Sequence, residues 1–283
     1  MSAPRTGAAG RAEAGPGTGR RSSASVEDYV KAIHAHTEWN PGPITTTALA
    51  SRLGVTAASA SEMVRRLDER GLVVHRPYRP VELTPAGRAL ALAMIRRHRL
   101  LETWLATELG YGWDEVHDEA ERLEHAVSDR LIEAIAARLG DPERDPHGDP
   151  IPRRDGAVVV PDARPLAGFD AGHPVRVRRV SDADPALLRD LAAARIGPDT
   201  DLTVLDGPDA TAASGGILRV RVEGTRDDVL LAGPDAAAVW VADRGNHDGC
   251  TLSARADPDQ RPGRPGRSGR PGRPGRSGRA PGA

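Results

Sequence analysis

The segment VHDEAERLEHAVSD, residues 116–129, combines two histidines with five acidic side chains. If the segment is helical, four of these side chains share one face at spacings i, i+4, i+7 and i+8: His117, Glu121, Glu124 and His125. Imidazole and carboxylate together are ligands for divalent Mn, Fe, Co, Ni or Zn. Two glutamates one turn apart also repel each other unless a cation lies between them. The pattern therefore predicts a metal site.

A second pair with the same spacing, His98 and Glu102, lies in the preceding helical pattern. A single His-x-x-x-Glu pair is more often an ordinary surface interaction between neighbouring turns. Because the spacing recurs on two consecutive helices, packing them side by side would bring three histidines together with three carboxylates. An acidic helix that only balances charge at a dimer interface is the alternative interpretation.

The bulk composition favours an intracellular protein with two domains, or three small ones. The chain has 283 residues and one cysteine, Cys250, which excludes a disulfide framework and fits a reducing compartment. The N-terminus has no apolar signal-peptide core, and no run approaches the length of a membrane span. We therefore expect a soluble, cytoplasmic protein.

Charge is divided unevenly along a chain whose formal net charge is only −1. Residues 31–99 hold one lysine and ten arginines against five acids, whereas residues 100–140 hold three arginines against ten acids. This division predicts one surface for a polyanion and another for cations.

The basic block has the element order of a winged helix-turn-helix. A helix begins at Ser25, a short helix and a turn at Gly54 follow, and a second helix is capped by Thr56 and stopped at Gly71. Two short strands, 72–76 and 80–83, come next, and a long helix is entered at Thr84-Pro85. The helix after Thr56 is the predicted recognition helix. Its exposed residues and the arginines of the wing are the predicted DNA contacts: Thr56, Ser59, Ser61, Glu62, Arg65, Arg76 and Arg79.

The remaining segments complete a mainly α-helical chain with a small β domain. A single helix is predicted from Asp114 to Gly140, and alternating apolar strands beyond residue 173 predict an SH3-like β-barrel with one inserted helix. The Arg-Pro-Gly repeats at the C-terminus predict a disordered basic tail, which either adds non-specific affinity for nucleic acid or has no role. The predicted units are a disordered tail, a DNA-binding domain, a helical metal-binding and dimerisation domain, a Pro-rich linker, the β-barrel and the basic tail, at 1–24, 25–91, 92–147, 148–172, 173–245 and 246–283.

The motifs resemble those of the diphtheria toxin repressor family of metal-dependent transcriptional regulators. The resemblance runs in order through SVEDYV, SASEMVRRLDERGLV, LTPAGRALA, RRHRLLE, VHDEAERLEH and DPHGDPIP, and the C-terminal part is similar to the domain of ferrous iron transport protein A. It implies a homodimer that binds a palindromic operator in double-stranded DNA when metal is bound, with no membrane partner. Repression of metal uptake genes is the implied function.

The family has an iron-responsive and a manganese-responsive branch. The resemblance implies a primary site with a methionine and a cysteine in the iron branch, where this chain has Asp28 and Glu121. Carboxylates in place of sulfur ligands suit Mn²⁺, so manganese is the predicted metal and Fe²⁺ the alternative. The implied primary site is Asp28, Glu121, Glu124 and His125, and the implied ancillary site is His98, Glu102 and His117 with Asp184 from the C-terminal domain.

Two features limit this assignment. Manganese regulators with a binuclear site carry another acid where this chain has Lys31, which argues for a mononuclear primary site. The ancillary set belongs to the iron branch, so an iron-dependent repressor stays the alternative, followed by a metal-independent winged-helix regulator. A metallohydrolase is disfavoured, because the sequence has no His-Glu-x-x-His helix, phosphate loop or Gly-x-Ser-x-Gly turn.

Overall fold

The computed structural model describes residues 17–39, 42–76, 79–206 and 216–245, with side chains from Val26 onward except that of Trp39. The basic tail predicted at 246–283 and the first 16 residues of the predicted N-terminal tail lie outside these ranges. Among the described residues, no helix combines the length and apolar character needed to cross a lipid bilayer.

The N-terminal domain is the winged helix-turn-helix that the sequence predicts. Its elements are α1 (Gly17–Trp39), α2 (Thr46–Arg52), α3 (Ala57–Glu69), β1 (Val73–Val74), β2 (Glu82–Leu83) and the start of α4 (Pro85–Leu109). Helix α1 begins at Gly17 rather than at the predicted Ser25, so the end of the predicted N-terminal tail is helical. The two wing strands pair antiparallel but are shorter than predicted.

Side-chain caps fix where the helices of this domain begin. Thr56 Oγ1 accepts a hydrogen bond from the Ser59 amide, and Thr84 Oγ1 accepts one from the Gly87 amide. Gly54 takes the left-handed conformation, φ 63°, that the tight turn between α2 and α3 requires. The domain buries Val30, Leu49, Val64 and Leu67 completely in its core.

The helical domain consists of α4 with two shorter helices, α5 (Val116–Leu123) and α6 (Asp129–Arg138). The prediction of one continuous helix from Asp114 to Gly140 was wrong. Ser128 takes an extended conformation and its hydroxyl accepts from the Leu131 amide, so it caps a new helix at Asp129. Helix α4 also runs without interruption through the domain boundary predicted at residue 91.

In its described residues, 164–206 and 216–245, the C-terminal domain is a six-stranded antiparallel sheet with two α-helices. Its strands are β3 (Arg164–Pro165), β4 (Pro174–Val180), β5 (Asp201–Val204), β6 (Ile217–Val222), β7 (Asp228–Ala232) and β8 (Val239–Asp243). They lie side by side in the order β3-β8-β4-β5-β6-β7. Helix α7 (Pro185–Ala193) follows β4, where the inserted helix is predicted, and α8 (Gly233–Ala238) precedes β8. The sheet takes in the end of the predicted linker, because Leu166 and Phe169 are fully buried in its core.

The turn at residues 145–149 joins the helical domain to the sheet. The amide of Val180, at the end of β4, donates to the carbonyl of His147. Gly148 lies so close to β4 that an added Cβ would stand 2.0 Å from the carbonyl oxygen of Arg178. Only glycine permits this approach, which holds the C-terminal domain over the helices that carry the predicted ligands.

Candidate metal centre

Three helices and the turn after the third bring the predicted helical ligands together. Helix α1 supplies Asp28, and α4 supplies His98 and Glu102. Helix α5 supplies His117 and Glu121, and the turn after it supplies Glu124 and His125. His98 and Glu102 lie on the buried side of α4, 6% and 1% exposed. The i, i+4 spacing of His98 and Glu102 therefore does place both side chains on one buried face of α4.

The first group joins α1 to the turn after α5. Asp28, Glu124 and His125 each offer a ligand atom, and these atoms lie within 4.8 Å of one another. His125 Nε2 is 2.8 Å from Asp28 Oδ1, and His125 Nδ1 is 2.9 Å from Glu27 Oε2. Sequence reasoning missed Glu27, although it stands next to Asp28 in SVEDYV.

Glu121 does not join this first group, contrary to its predicted place in the primary site. It forms a separate group with His98 and Glu124, again within 4.8 Å. Lys31 lies between the two glutamates, with its Nζ 2.5 Å from Glu121 Oε1 and 2.7 Å from Glu124 Oε1.

The predicted ancillary ligands form a group that is completed from the C-terminal domain. His98 Nε2 is 2.9 Å from Glu102 Oε1, and His117 Nδ1 is 3.3 Å from the same oxygen. The acid from the C-terminal domain is Asp182, whose Oδ2 lies 2.9 Å from His117 Nδ1. The predicted Asp184 lies outside this group, where it caps α7 and its Oδ1 accepts from the Ala186 amide.

A further group extends the cluster toward the domain junction. Glu102, Asp145 and His147 are all buried and offer ligand atoms within 4.8 Å of one another. Asp145 and His147 belong to the family motif DPHGDPIP and are not among the ligands predicted from the sequence. The acid-x-His spacing within that motif was the signal that could have found them.

Paired charges shift the pKa values within the ancillary group. Burial alone lowers the pKa of His98, but the charge of Glu102 opposes it and raises the pKa to about 9. Burial likewise lowers the pKa of His117, but its bonds to Asp182 and Glu102 raise it to about 11. Burial raises the pKa of Glu102, whereas the charge of His98 and the bond from His117 bring it well below its usual range. At neutral pH the group consists of imidazolium–carboxylate pairs.

The donor chemistry of these groups fits a divalent cation. All the donors are carboxylate oxygen or imidazole nitrogen, the set that suits Mn²⁺ and Fe²⁺. Glu102 Oε2 and His147 Nδ1 are buried without a hydrogen-bond partner, which is costly unless another group satisfies them. Asp28, His98, His117 and Asp182 also line a cleft of about 830 Å³ between the helices and the C-terminal domain.

The predicted DNA contacts are all exposed on the winged domain. Helix α3 buries Ala60, Met63, Val64 and Leu67, which leaves its opposite face to solvent. On that face Arg65 forms ion pairs with Glu62 and Glu69, while Ser61 donates to the Ala57 carbonyl. Thr56 and Ser59 bond to each other at the start of the helix.

Family models match nearly all of the described chain. Residues 22–81 match "Iron dependent repressor, N-terminal DNA binding domain", and residues 84–153 match "Iron dependent repressor, metal binding and dimerisation domain". Residues 164–243 match the FeoA domain.

Individual relatives extend these matches. The diphtheria toxin repressor of Corynebacterium efficiens is 34% identical over 190 residues, 63% of this chain and 82% of that protein. The iron-dependent repressor IdeR of Mycobacterium tuberculosis is 34% identical over 161 residues, 57% of this chain and 68% of that protein. A solved manganese-dependent transcriptional repressor in complex with manganese is 50% identical, with a TM-score of 0.72 over 77% of this chain and 99% of that one.

The order of the three domains, the metal-ligand groups at their junction and the relatives lead to one family. This chain belongs to the diphtheria toxin repressor family of metal-dependent transcriptional repressors, which bind operator DNA as homodimers.

Proposed function

We propose that this repressor responds to Mn²⁺ and holds it at a primary position formed by Asp28, Glu124 and His125. An ancillary position is formed by His98, Glu102, His117 and Asp182. The observation that carries the proposal is that oxygen and nitrogen supply every donor, which suits Mn²⁺ better than a softer metal. The 50% identity to a manganese-dependent repressor, against 34% to the two iron-branch relatives, supports the same choice. Fe²⁺ is the alternative cofactor.

The proposed mechanism uses the connection between α1 and the turn after α5. Asp28 belongs to the DNA-binding domain, whereas Glu124 and His125 belong to the helical domain. A bound ion supplies the divalent charge that neutralises these carboxylates together. Asp28 and His125 then fix the recognition helix relative to the dimer core, at the spacing that matches successive major grooves. Metal and DNA are linked ligands, so each raises the affinity for the other by the same factor.

The predicted DNA contacts keep their proposed roles on this surface. Thr56, Ser59, Ser61, Glu62 and Arg65 are placed to meet the major groove, and Arg76 and Arg79 to meet the phosphate backbone. Their shared exposure supports this assignment. We place the protein in the cytoplasm with a regulatory rather than a catalytic role, and propose a palindromic operator and metal uptake genes as targets, as the family resemblance implies.

Asp28→Met tests the choice of metal. A thioether in place of the Asp28 carboxylate makes the primary position softer, so we expect the preference for Fe²⁺ over Mn²⁺ to rise by about 10-fold or more. The measurement is operator binding titrated with each ion under anaerobic conditions. Glu119→Met, which replaces a carboxylate paired with Arg122 outside the ligand groups, is the matched control and should keep the wild-type preference. An unchanged ratio in Asp28→Met would remove the argument for manganese.

Asp182 and Asp184 give a paired test of the ancillary position. Asp182→Asn removes the carboxylate that reaches His117, and we expect Mn²⁺ affinity at this position to fall about 10- to 100-fold. Asp184→Asn should leave the affinity unchanged, because asparagine caps a helix as well as aspartate does. Isothermal titration calorimetry measures both variants. Equal losses in the two, or no loss in Asp182→Asn, would contradict the assignment.

Metal binding should release protons. With pKa values raised to about 9 and about 11, His98 and His117 are protonated at pH 7. An imidazole must lose this proton before its nitrogen can bind a metal ion. We therefore expect Mn²⁺ affinity to increase as pH rises from 7 toward 9. Calorimetry at pH 7 in buffers of different ionisation enthalpy counts the protons, and His117→Ala should release fewer. Binding without proton release would show that these imidazoles are already neutral.

A further inference from the structure

Lys31 is the only lysine among the 39 lysine and arginine residues of the chain. Its side chain is 15% exposed and lies among the predicted metal ligands rather than on the surface. The other 38 of these residues are arginines, and the single lysine lies at the centre of the predicted metal ligands.

The Lys31 ammonium is surrounded by three residues that could bind a metal ion: His98, Glu121 and Glu124. Its Nζ is 2.5 Å from Glu121 Oε1, 2.7 and 2.9 Å from the two oxygens of Glu124, and 3.4 Å from His98 Nδ1. His98, Glu121 and Glu124 are one of the groups whose ligand atoms lie within 4.8 Å of one another. The donors that could hold an ion thus already hold a cation of the protein itself.

The chemistry of lysine explains why this residue stands here. An ammonium is a compact point charge on a flexible four-carbon stem, whereas a guanidinium is a planar fork that needs two aligned acceptors. Lysine is therefore the side chain that best takes the place of a small cation. Without it, Glu121 and Glu124 would face each other one helical turn apart with no opposing charge between them.

His98 is positioned to keep the two metal positions separate. Its Nδ1 lies 2.6 Å from Glu124 Oε2 and faces Lys31, whereas its Nε2 lies 2.9 Å from Glu102 Oε1 on the ancillary side. With Lys31 beside Nδ1, only Nε2 remains for an ion.

We propose that Lys31 is a tethered cation that fills the position between His98, Glu121 and Glu124, so that the primary site binds one metal ion at Asp28, Glu124 and His125 and no second ion beside it. The inference rests on the proposed metal-dependent function and deepens it. It assigns Glu121 to a salt bridge with Lys31 rather than to the primary position.

Metal stoichiometry tests the proposal directly. Lys31→Met removes the cation and should bind one more Mn²⁺ per chain than wild type, counted by calorimetry and by elemental analysis after gel filtration. Lys31→Arg keeps the charge and should keep the wild-type count. Equal counts in Lys31→Met and wild type would overturn the proposal while leaving the proposed function intact. A wild-type protein that binds no Mn²⁺ would instead overturn the proposed function.

Amine labelling of the wild-type chain provides a test that does not depend on how a variant folds. Because the chain has one lysine, a mass shift from an amine-reactive reagent reports Lys31 alone once the N-terminal amine is accounted for by peptide mapping. We expect Lys31 to be labelled slowly, both in metal-free protein and at saturating Mn²⁺. Labelling that accelerates on Mn²⁺ saturation would show that the ion displaces Lys31, and would overturn the proposal.

Discussion

Replacing Glu124 with glutamine is expected to lower Mn²⁺ affinity by more than about 100-fold, beyond the loss typical of groups that only support a ligand, and to remove metal-dependent operator binding. Glu124 is 0% exposed and belongs to two of the ligand groups. Its oxygens contact both Lys31 and His98, so glutamine would also remove the buried carboxylate that lies between an ammonium and an imidazolium.

Glu119→Gln is the matched control for this prediction. Glu119 lies on α5, which leads into the turn that carries Glu124, and the substitution is of the same type. Its partner is the exposed Arg122 rather than a ligand group. Calorimetric titration with Mn²⁺ measures both variants. A Glu124→Gln protein that binds Mn²⁺ as tightly as the Glu119→Gln protein would exclude Glu124 as a ligand.

Replacing Arg99 with methionine is expected to destabilise the protein by about 3–5 kcal/mol, because it leaves buried carboxylates without their partner. Arg99 is 7% exposed. Its guanidinium contacts groups from two parts of the chain, α1 and residues 145–150: Glu38 at 2.9 Å, the Pro150 carbonyl at 2.6 Å, Asp145 at 3.6 Å and Asp149 at 3.7 Å. Asp149 in turn pairs with Arg179 of β4 at 2.5 Å, which extends the network into the C-terminal domain.

The control for Arg99 is Arg122→Met. Its side chain is 70% exposed and, among the described residues, pairs with Glu119 across one helical turn, so its loss should cost no more than about 0.5 kcal/mol. Urea unfolding of the metal-free proteins gives both free energies. A cost below about 1 kcal/mol for Arg99→Met, at the level of surface pairs, would show that the network does not hold the domains together.

Local signals explain why the winged domain could be predicted from sequence. Thr56 and Thr84 are strong N-caps, and Gly54 marks a turn, so the boundaries of α3 and α4 depend on residues close in sequence. The same rule was available at Ser128 but was outweighed by the helical periodicity on both sides of it. The fold class and the family membership were confirmed, whereas the single long helix was not.

The ligand groups were predictable only where they share a helix face. His98 with Glu102, and His117 with Glu121, repeat at helical spacing and could be found by counting. Asp182, Asp145 and His147 enter from loops whose positions depend on how the domains pack, and Asp184 was chosen two residues away from the acid that makes the contact. The insertion of Lys31 between Glu121 and Glu124 depends on the packing of α1 against α4 and α5, which no local pattern encodes.

The proposed function depends on control of operator binding by Mn²⁺. The most direct measurement is fluorescence anisotropy of a labelled duplex, selected from a random-sequence pool by the Mn²⁺-loaded chain, titrated with full-length protein in Mn²⁺ and again in chelator. We expect Mn²⁺ to raise the affinity by roughly 5- to 150-fold, the usual range for coupled ligands, and chelator to reverse the gain. Equal affinity under the two conditions would contradict the proposed function.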